Sequence, residues 1–405
     1  LSFSKAAALV VTASLLAMAS TRALADDRDT NPDTIQPSIS ASTVYDDNLF
    51  RLPAGQQAGS PSGPSSRSDF DVTTAVGLRI DKSYSLQRFV IDAGLVYYDH
   101  TDHEFLDFTA KNLDATWFWA FTPDVTGHVI YTRVQALNSF ADFTGSFERN
   151  VNTNTIRRVD GDWRVRGEVH LGLAVDEFVQ RNDQPTFALE DVRIDSVEPT
   201  ISYQSEAGNS LALYGRSADG TYLNEILSSP EQIDTRFTEH EEGVRVSYQI
   251  DGKSGVYAQL GELSRTHEHF ASRNFSGPVA QIKYHLQLTG KTAFTAAASR
   301  TLGSYQSDTS SYLATNLFSA GPNWAVTGKT TLGARLQDIQ YHFGGTLIPT
   351  ALRSDNITAE SVFANWNARY DLDFILTYTH SNRDSNYAGL QFADNTVSLL
   401  ARWKF

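Results

Sequence analysis

The chain contains no cysteine and one methionine. Without cysteine there is no disulfide scaffold and no zinc–thiolate centre. Nor is there a thioether-lipid anchor of the lipoprotein kind. No apolar run reaches the roughly 18–20 residues that a spanning helix needs, and 41% hydrophobic content is low for a helical membrane protein. Basic residues are outnumbered, 33 against 47 acidic, and none of them cluster. That balance argues against a nucleic-acid partner. The chain also lacks a G-x-S-x-G elbow or any other linear set of nucleophile, base and acid, so it is read as not an enzyme.

Strand-like alternation is what the chain has, with aromatics at 11%. The segment Asp394 to Phe405 shows it most clearly. Val397, Leu399, Ala401, Trp403 and Phe405 fall on one side at period two, and Ser398, Leu400, Arg402 and Lys404 on the other. An aromatic terminus behind alternating apolar positions resembles the C-terminal insertion signal of outer-membrane barrels, the segment offered to the barrel-assembly machinery.

The pattern recurs from Thr34 onward. Ile35, Pro37, Ile39 and Ala41 oppose Gln36, Ser38, Ser40 and Ser42. Val72 to Ile80, Phe89 to Tyr97, Leu113 to Phe121, Val125 to Tyr131, Val159 to Val165, Val169 to Val175, Ala280 to Leu288 and Val362 to Tyr370 repeat it. The apolar faces end in Trp, Tyr or Phe, as an interfacial girdle would. Short and long links alternate. The short ones at Asp251-Gly252-Lys253-Ser254, Thr289-Gly290-Lys291-Thr292 and Thr327-Gly328-Lys329-Thr330 start at a constant step of 38 residues, one hairpin plus its loop.

About eighteen such strands, with sixteen the nearest alternative, exceed what one sandwich holds. A closed barrel has no edges to protect. The expected fold is therefore an all-β, antiparallel, up-and-down transmembrane barrel in a Gram-negative outer membrane, its termini on the periplasmic short-turn side. Residues 1–25 read as a signal peptide. Lys5, the apolar run Ala6–Ala19 and Ala23-Leu24-Ala25 supply its three regions. Residues 26–33 form a short periplasmic segment and 34–405 the barrel. The Gly/Pro/Ser-rich stretch at about 50–68 is expected to be a mobile extracellular loop.

Chemistry-bearing motifs are sparse. The three G-K-[ST] turns lack the glycine five positions earlier that a phosphate loop requires, with Ser247, His285 and Asn323 standing there instead. His267 and His269 would share a strand face but have no evident third ligand. Asp46-Asp47-Asn48 and Asp191 to Asp195 are carboxylate-rich enough to hold calcium, although polar strand ends explain them as well. No cofactor or metal is expected.

The polar face carries the remaining signal. Arg79, Asp92, Asp114, His128, Asp160, Asp162, Arg164, His170, Arg245, Lys283, His285, Arg335, Asn365, Asn367, Arg369 and Arg402 are expected to point into the lumen. They would solvate a bore or select what passes. Tyr98, Phe118 and Tyr257 would offer stacking faces for sugar rings.

One motif, Tyr45-Asp46-Asp47-Asn48-Leu49-Phe50-Arg51 within Val44–Pro53, stands at the end of the first strand. Together with the hairpin repeats and the terminal Arg402-Trp403-Lys404-Phe405, it resembles the EpsL-type outer-membrane β-barrel channels of exopolysaccharide clusters, a porin-like family associated with exosortase systems. The resemblance spans essentially the whole chain after residue 25. It implies a conduit for polysaccharide in transit, working with periplasmic and inner-membrane export proteins, and it implies no catalytic residues. The alternatives are a general or sugar-specific uptake porin and, more remotely, a barrel-borne enzyme or adhesin.

Overall fold

The computed structural model describes residues 34–56, 66–142, 147–224, 234–306, 309–347 and 352–405. The segments read as signal peptide and periplasmic lead lie outside them, as do residues 57–65 of the first long loop.

Eighteen strands are formed by the described residues. They are β1 Thr34–Asp46, β2 Asp69–Tyr84, β3 Gln87–His100, β4 Phe108–Thr122, β5 Val125–Leu137 and β6 Val151–Arg166. Next come β7 Val169–Asn182, β8 Val192–Gln204, β9 Ser210–Tyr222, β10 Arg236–Gln249, β11 Ser254–His267 and β12 Phe275–Gln287. The last six are β13 Thr292–Ser304, β14 Tyr312–Ala325, β15 Thr330–Gly344, β16 Ser354–Arg369, β17 Leu372–Ser385 and β18 Phe392–Lys404. Each pairs antiparallel with its neighbours in sequence, and β1 also pairs with β18, with Ala41 opposite Ala401 and Ile39 opposite Trp403. The sheet is closed. From strand spacing and a tilt near 40°, eighteen strands enclose a backbone cylinder roughly 35 Å across.

Ladder register and alternation settle which way each side chain points. Ile39, Val76, Leu95, Leu173, Val175, Leu213 and Leu336 are all half or more exposed on the outer face. So many exposed apolar residues would be unusual on a protein surrounded by water. They form a continuous belt whose solvent is hydrocarbon. Aromatics rim the belt at the short-turn end, where Phe89 stacks on Trp117 at 5.8 Å, Trp366 on Phe374 at 5.5 Å and Trp403 on Phe405 at 4.8 Å. Tyr45, Phe70, Tyr97 and Tyr378 rim the other end. Beyond that rim the outer face turns polar, with Arg157 and Arg193 ion-paired to Glu177.

The repeated short turns share one mechanism. Asp251 Oδ1 accepts the N–H of Lys253 and of Ser254, each at 2.7 Å, and Thr289 and Thr327 hydroxyls do the same for their turns. The backbone N–H of Lys253 heads the causes that hold the Asp251 carboxyl below its usual range. These are side-chain-capped turns, with no helix after them to cradle a phosphate.

The long-link end is built differently. Phe50, Leu52, Leu106 and Phe140 form a buried cluster from the β1–β2, β3–β4 and β5–β6 links. Phe50 and Leu52 lie in the stretch expected to be a mobile loop, and they are anchored instead, at 2% and 3% exposure. Their apolar side chains have a core to enter because neighbouring loops lean over the same part of the mouth.

An outward charge in the belt tests this arrangement. Leu173→Arg at mid-belt is expected to destabilise the barrel by roughly 2–4 kcal/mol, measured by denaturant unfolding in lipid vesicles. Substitution at the inward Gly172 next to it by Ser should cost far less.

Candidate functional site: the lumen wall and mouth

Polar residues at alternate positions converge inside the cylinder, where they pair across strands. Arg79 binds Asp92 at 2.7 Å, and Arg88 grips the fully buried Asp81 at 2.8 Å. Across β5 to β8, His128 meets Asp160 at 2.7 Å, and Arg158 joins Asp160 to Asp176. Ser196 then donates to Asp176. His170 contacts Asp162 at 2.5 Å, Thr132 donates to Asp114, and Arg164 pairs with Asp124 in the β4–β5 turn. Arg402 and Lys404 share Asp373.

Of two further expected lining residues, one stays on the inner face inside a packed network and the other leaves that face. Arg245 is taken up in a packed network. It reaches over β9 to Glu198 at 2.7 and 2.9 Å and lies 4.0 Å from the Tyr214 ring centre. Arg369 follows a register slip after Asn367 and pairs with Asp371 of the next turn, 62% of its side chain exposed, so it marks the rim. Asn365 and Asn367 precede that slip on the inner face. Lys283, His285 and Arg335 also stand on the inner face, on β12 and β15. No carboxylate lies within ion-pair distance of Lys283 or Arg335 among the described residues. Of the inward aromatics, Tyr98 is stacked on Phe108 at 4.6 Å and Phe118 packs edge-on against His128. Tyr257 donates to Gln259.

Several inward groups escape the sequence reading. Glu198, Arg216, Glu239, Glu241 and Arg265 belong to β8 to β11, where charges occur on both faces and blur the alternation. Arg265 and Glu239 form a buried pair at 2.6 Å, each 1% exposed, and Arg216 completes it at 2.8 Å.

The Tyr45–Arg51 motif is a latch between the first loop and the closing strand. Asn48 exchanges hydrogen bonds with Leu52 in both directions, and its amide also donates to the Ala393 carbonyl at 2.9 Å. Asp47 accepts from the Asn395 backbone and amide, both at 2.7 Å. Arg51 pairs with Asp46 at 2.8 Å and lies 3.6 Å from Asp394. Burial opposes the Arg51 charge, but Asp46 and Asp394 outweigh it and raise its pKa above the ordinary value. Its backbone adopts φ +54°, a left-handed conformation costing on the order of 1 kcal/mol, which these bonds hold in place. The carboxylates at 46 and 47 are thus occupied. Asp191 is similarly engaged, by Asn182 and Asn224, and Asp195 by Arg193. Nor do His267 and His269 form a pair, because β11 ends at His267 and His269 turns to Asp234.

Two elements narrow the mouth from nearly opposite walls. The β5–β6 loop carries a short 3-10 turn, Phe140–Asp142, whose Ala141 carbonyl accepts from Arg383 of β17 at 2.6 Å. Five strands lie between β5 and β17 around the ring, so residues 140–142 reach over part of the mouth to a distant stretch of wall. The top of the β13–β14 hairpin leans in from the other side, against the adjacent wall. Gln306 reaches the Asp234 carbonyl at 2.9 Å, and Ser311 reaches that of Arg273 at 3.1 Å.

No protein-family model and no curated protein matches the chain. Solved structures do match it in fold. Pseudomonas aeruginosa OccK2 (OpdF) aligns with a TM-score of 0.52 at 9% identity, covering 92% of this chain and 98% of its own. The same protein in complex with glucuronate gives 0.51 at 9% identity, over 92% and 98%. P. aeruginosa OccK1 (OpdK) gives 0.51 at 9%, over 92% and 99%. The chain is an outer-membrane-type, 18-stranded barrel.

The β5–β6 loop yields a test. Arg383→Ala releases Ala141 and is expected to raise single-channel conductance in planar bilayers. Unchanged conductance, with the barrel still folded, would show that the loop does not restrict the bore.

Proposed function

We propose that the barrel is an outer-membrane diffusion channel for small hydroxylated solutes, with a preference for those bearing a negative charge. The narrowed mouth carries this reading. A cylinder of eighteen strands would leave a wide aqueous bore, but the β5–β6 loop and the β13–β14 tip lean in from facing walls. What remains suits a small hydrated molecule better than a continuous polymer. Lys283 and Arg335 supply the charge preference, since they lack ion-pair partners among the described residues while most other inward cations have carboxylates beside them. A solute carboxylate would be the missing partner. The fold relative OccK2 was crystallised with glucuronate, a sugar acid, which is consistent with such a cargo.

A second reading, export of an extracellular polysaccharide with periplasmic and inner-membrane partners, rests on the Tyr45–Arg51 resemblance. Those residues are engaged in tying loop to strand, a role any cargo would allow. Small-solute passage is therefore preferred.

Bilayer and liposome measurements separate the two. The channel is expected to pass glucuronate and monosaccharides and to exclude long oligosaccharides, with a reversal potential favouring anions in a salt gradient. Lys283→Ala with Arg335→Ala should shift that potential towards cations. Efficient passage of long glycans would overturn the proposal.

A further inference from the structure

The barrel wall is not paired along its whole height. Between β12 and β13 the last cross-strand pair is Ala280 with Arg300, although β12 runs on to Phe275 and β13 to Ser304. Both extensions remain paired on their other sides, with β11 and β14. A seam therefore opens in the upper wall. Pro278 lies in it, with no N–H to give the ladder, and its carbonyl accepts from Arg300 Nε at 3.2 Å instead.

Leu302 shows what fills the seam. Continuous ladders from β13 through β14 to β15 put Leu302 and Ala314 on the same face as Gln340 and His342, which are exposed outside. Yet Leu302 and Ala314 are buried, at 3% and 4%, against Leu263 and Val279. Those two share the lumen face of Arg265 and Gln281. The outer face of the β13–β14 tip thus rests on the inner face of β11–β12, which requires the tip to have passed inside the wall. Arg265 secures it with a bond to the Gly303 carbonyl at 3.4 Å. Just below the seam, on the lipid side, a notch of about 290 Å³ is lined by Ala280, Ile282, Ala298 and Phe318, with Arg300 and Asn316 above. That volume is at the lower end for small-molecule clefts.

We propose that the β12–β13 seam is a lateral portal, through which an apolar or amphipathic small molecule passes between the mouth and the outer leaflet, with Leu302 as its plug. The inner approach is apolar (Phe275, Leu263, Val279, Tyr312), and the outer notch has an apolar floor under a polar edge of Arg300, Asn316, Asp338 and Gln340. An apolar solute crosses between two favourable environments without entering the polar bore below. Unpaired strand edges are costly in lipid, and the arginine bonds to Pro278 and Gly303 offset part of that cost. The inference goes beyond axial diffusion of polar solutes and does not require it.

The native chain has no cysteine, so a designed pair reports cleanly. Extending the β12–β13 register puts Ser276 opposite Ser304, which meet only when the tip swings back to close the wall. Uptake of the apolar dye N-phenyl-1-naphthylamine is measured in intact Gram-negative cells bearing the barrel, with folding checked by heat-modifiable gel mobility. Leu302→Ala should raise the initial rate several-fold. Oxidised Ser276→Cys/Ser304→Cys in that background should return it to the vector-only rate, and reduction should restore it. Salt conductance of the Leu302→Ala channel is recorded alongside, because the same tip also narrows the axial mouth. Equal dye entry in parent and Leu302→Ala, or a rise that oxidation leaves intact, overturns the portal. So does a change in conductance without dye entry, which would make the tip a lid on the axial bore.

Discussion

Hydrocarbon offers no hydrogen bonds, and that constraint organises this molecule. Every strand in the belt must give its N–H and C=O groups to neighbours, and a sheet can do so only by closing on itself. The β1–β18 pairing, with Ile39 opposite Trp403, is what makes the other seventeen pairings sufficient. Once the ring is closed, alternation sends half of the side chains to lipid and half to the interior. The arginine–carboxylate pairs of the inner wall then follow as the means of keeping charges solvated or matched.

The mouth obeys a different economy. Above the belt, water can satisfy loose backbone groups, so loops are free to turn inward and pack. They do so in clusters, one around Phe50 and another around Leu263 and Leu302. Side chains such as Asn48, Arg51 and Arg383 act as fasteners there. The fully paired belt is rigid by construction, and the packing that shapes the mouth sits where pairing is relaxed.

Much of the barrel is legible in the residues. Period two in Ile35–Ala41 and Val397–Phe405, and the constant step between the turns at 251, 289 and 327, lead to the strand count, and the capping hydroxyls and carboxylate explain why those turns recur. Inward polar positions such as Asp92 and His170 follow from the same parity. Legibility ends where parity stops being the deciding rule. Glu239 and Arg265 sit where both faces carry charge, and the loop crossing from Ala141 to Arg383 joins residues 242 apart in sequence. Nothing local announces such a contact. The Tyr45–Arg51 motif illustrates the same limit. Its composition invites a cation or a cargo, and only the position of β18 reveals that Asp47 and Asn48 are spoken for by Asn395 and Ala393.

The central claim is that one face of these strands meets lipid and the other meets water in a bore. Single cysteines introduced in turn from Ala280 to Leu286, in the cysteine-free chain reconstituted in vesicles, test it most directly. A charged, membrane-impermeant thiol reagent should label positions 281, 283 and 285 and spare 280, 282, 284 and 286. Labelling with no alternation, or on the even positions alone, would contradict a water-filled barrel seated in a membrane.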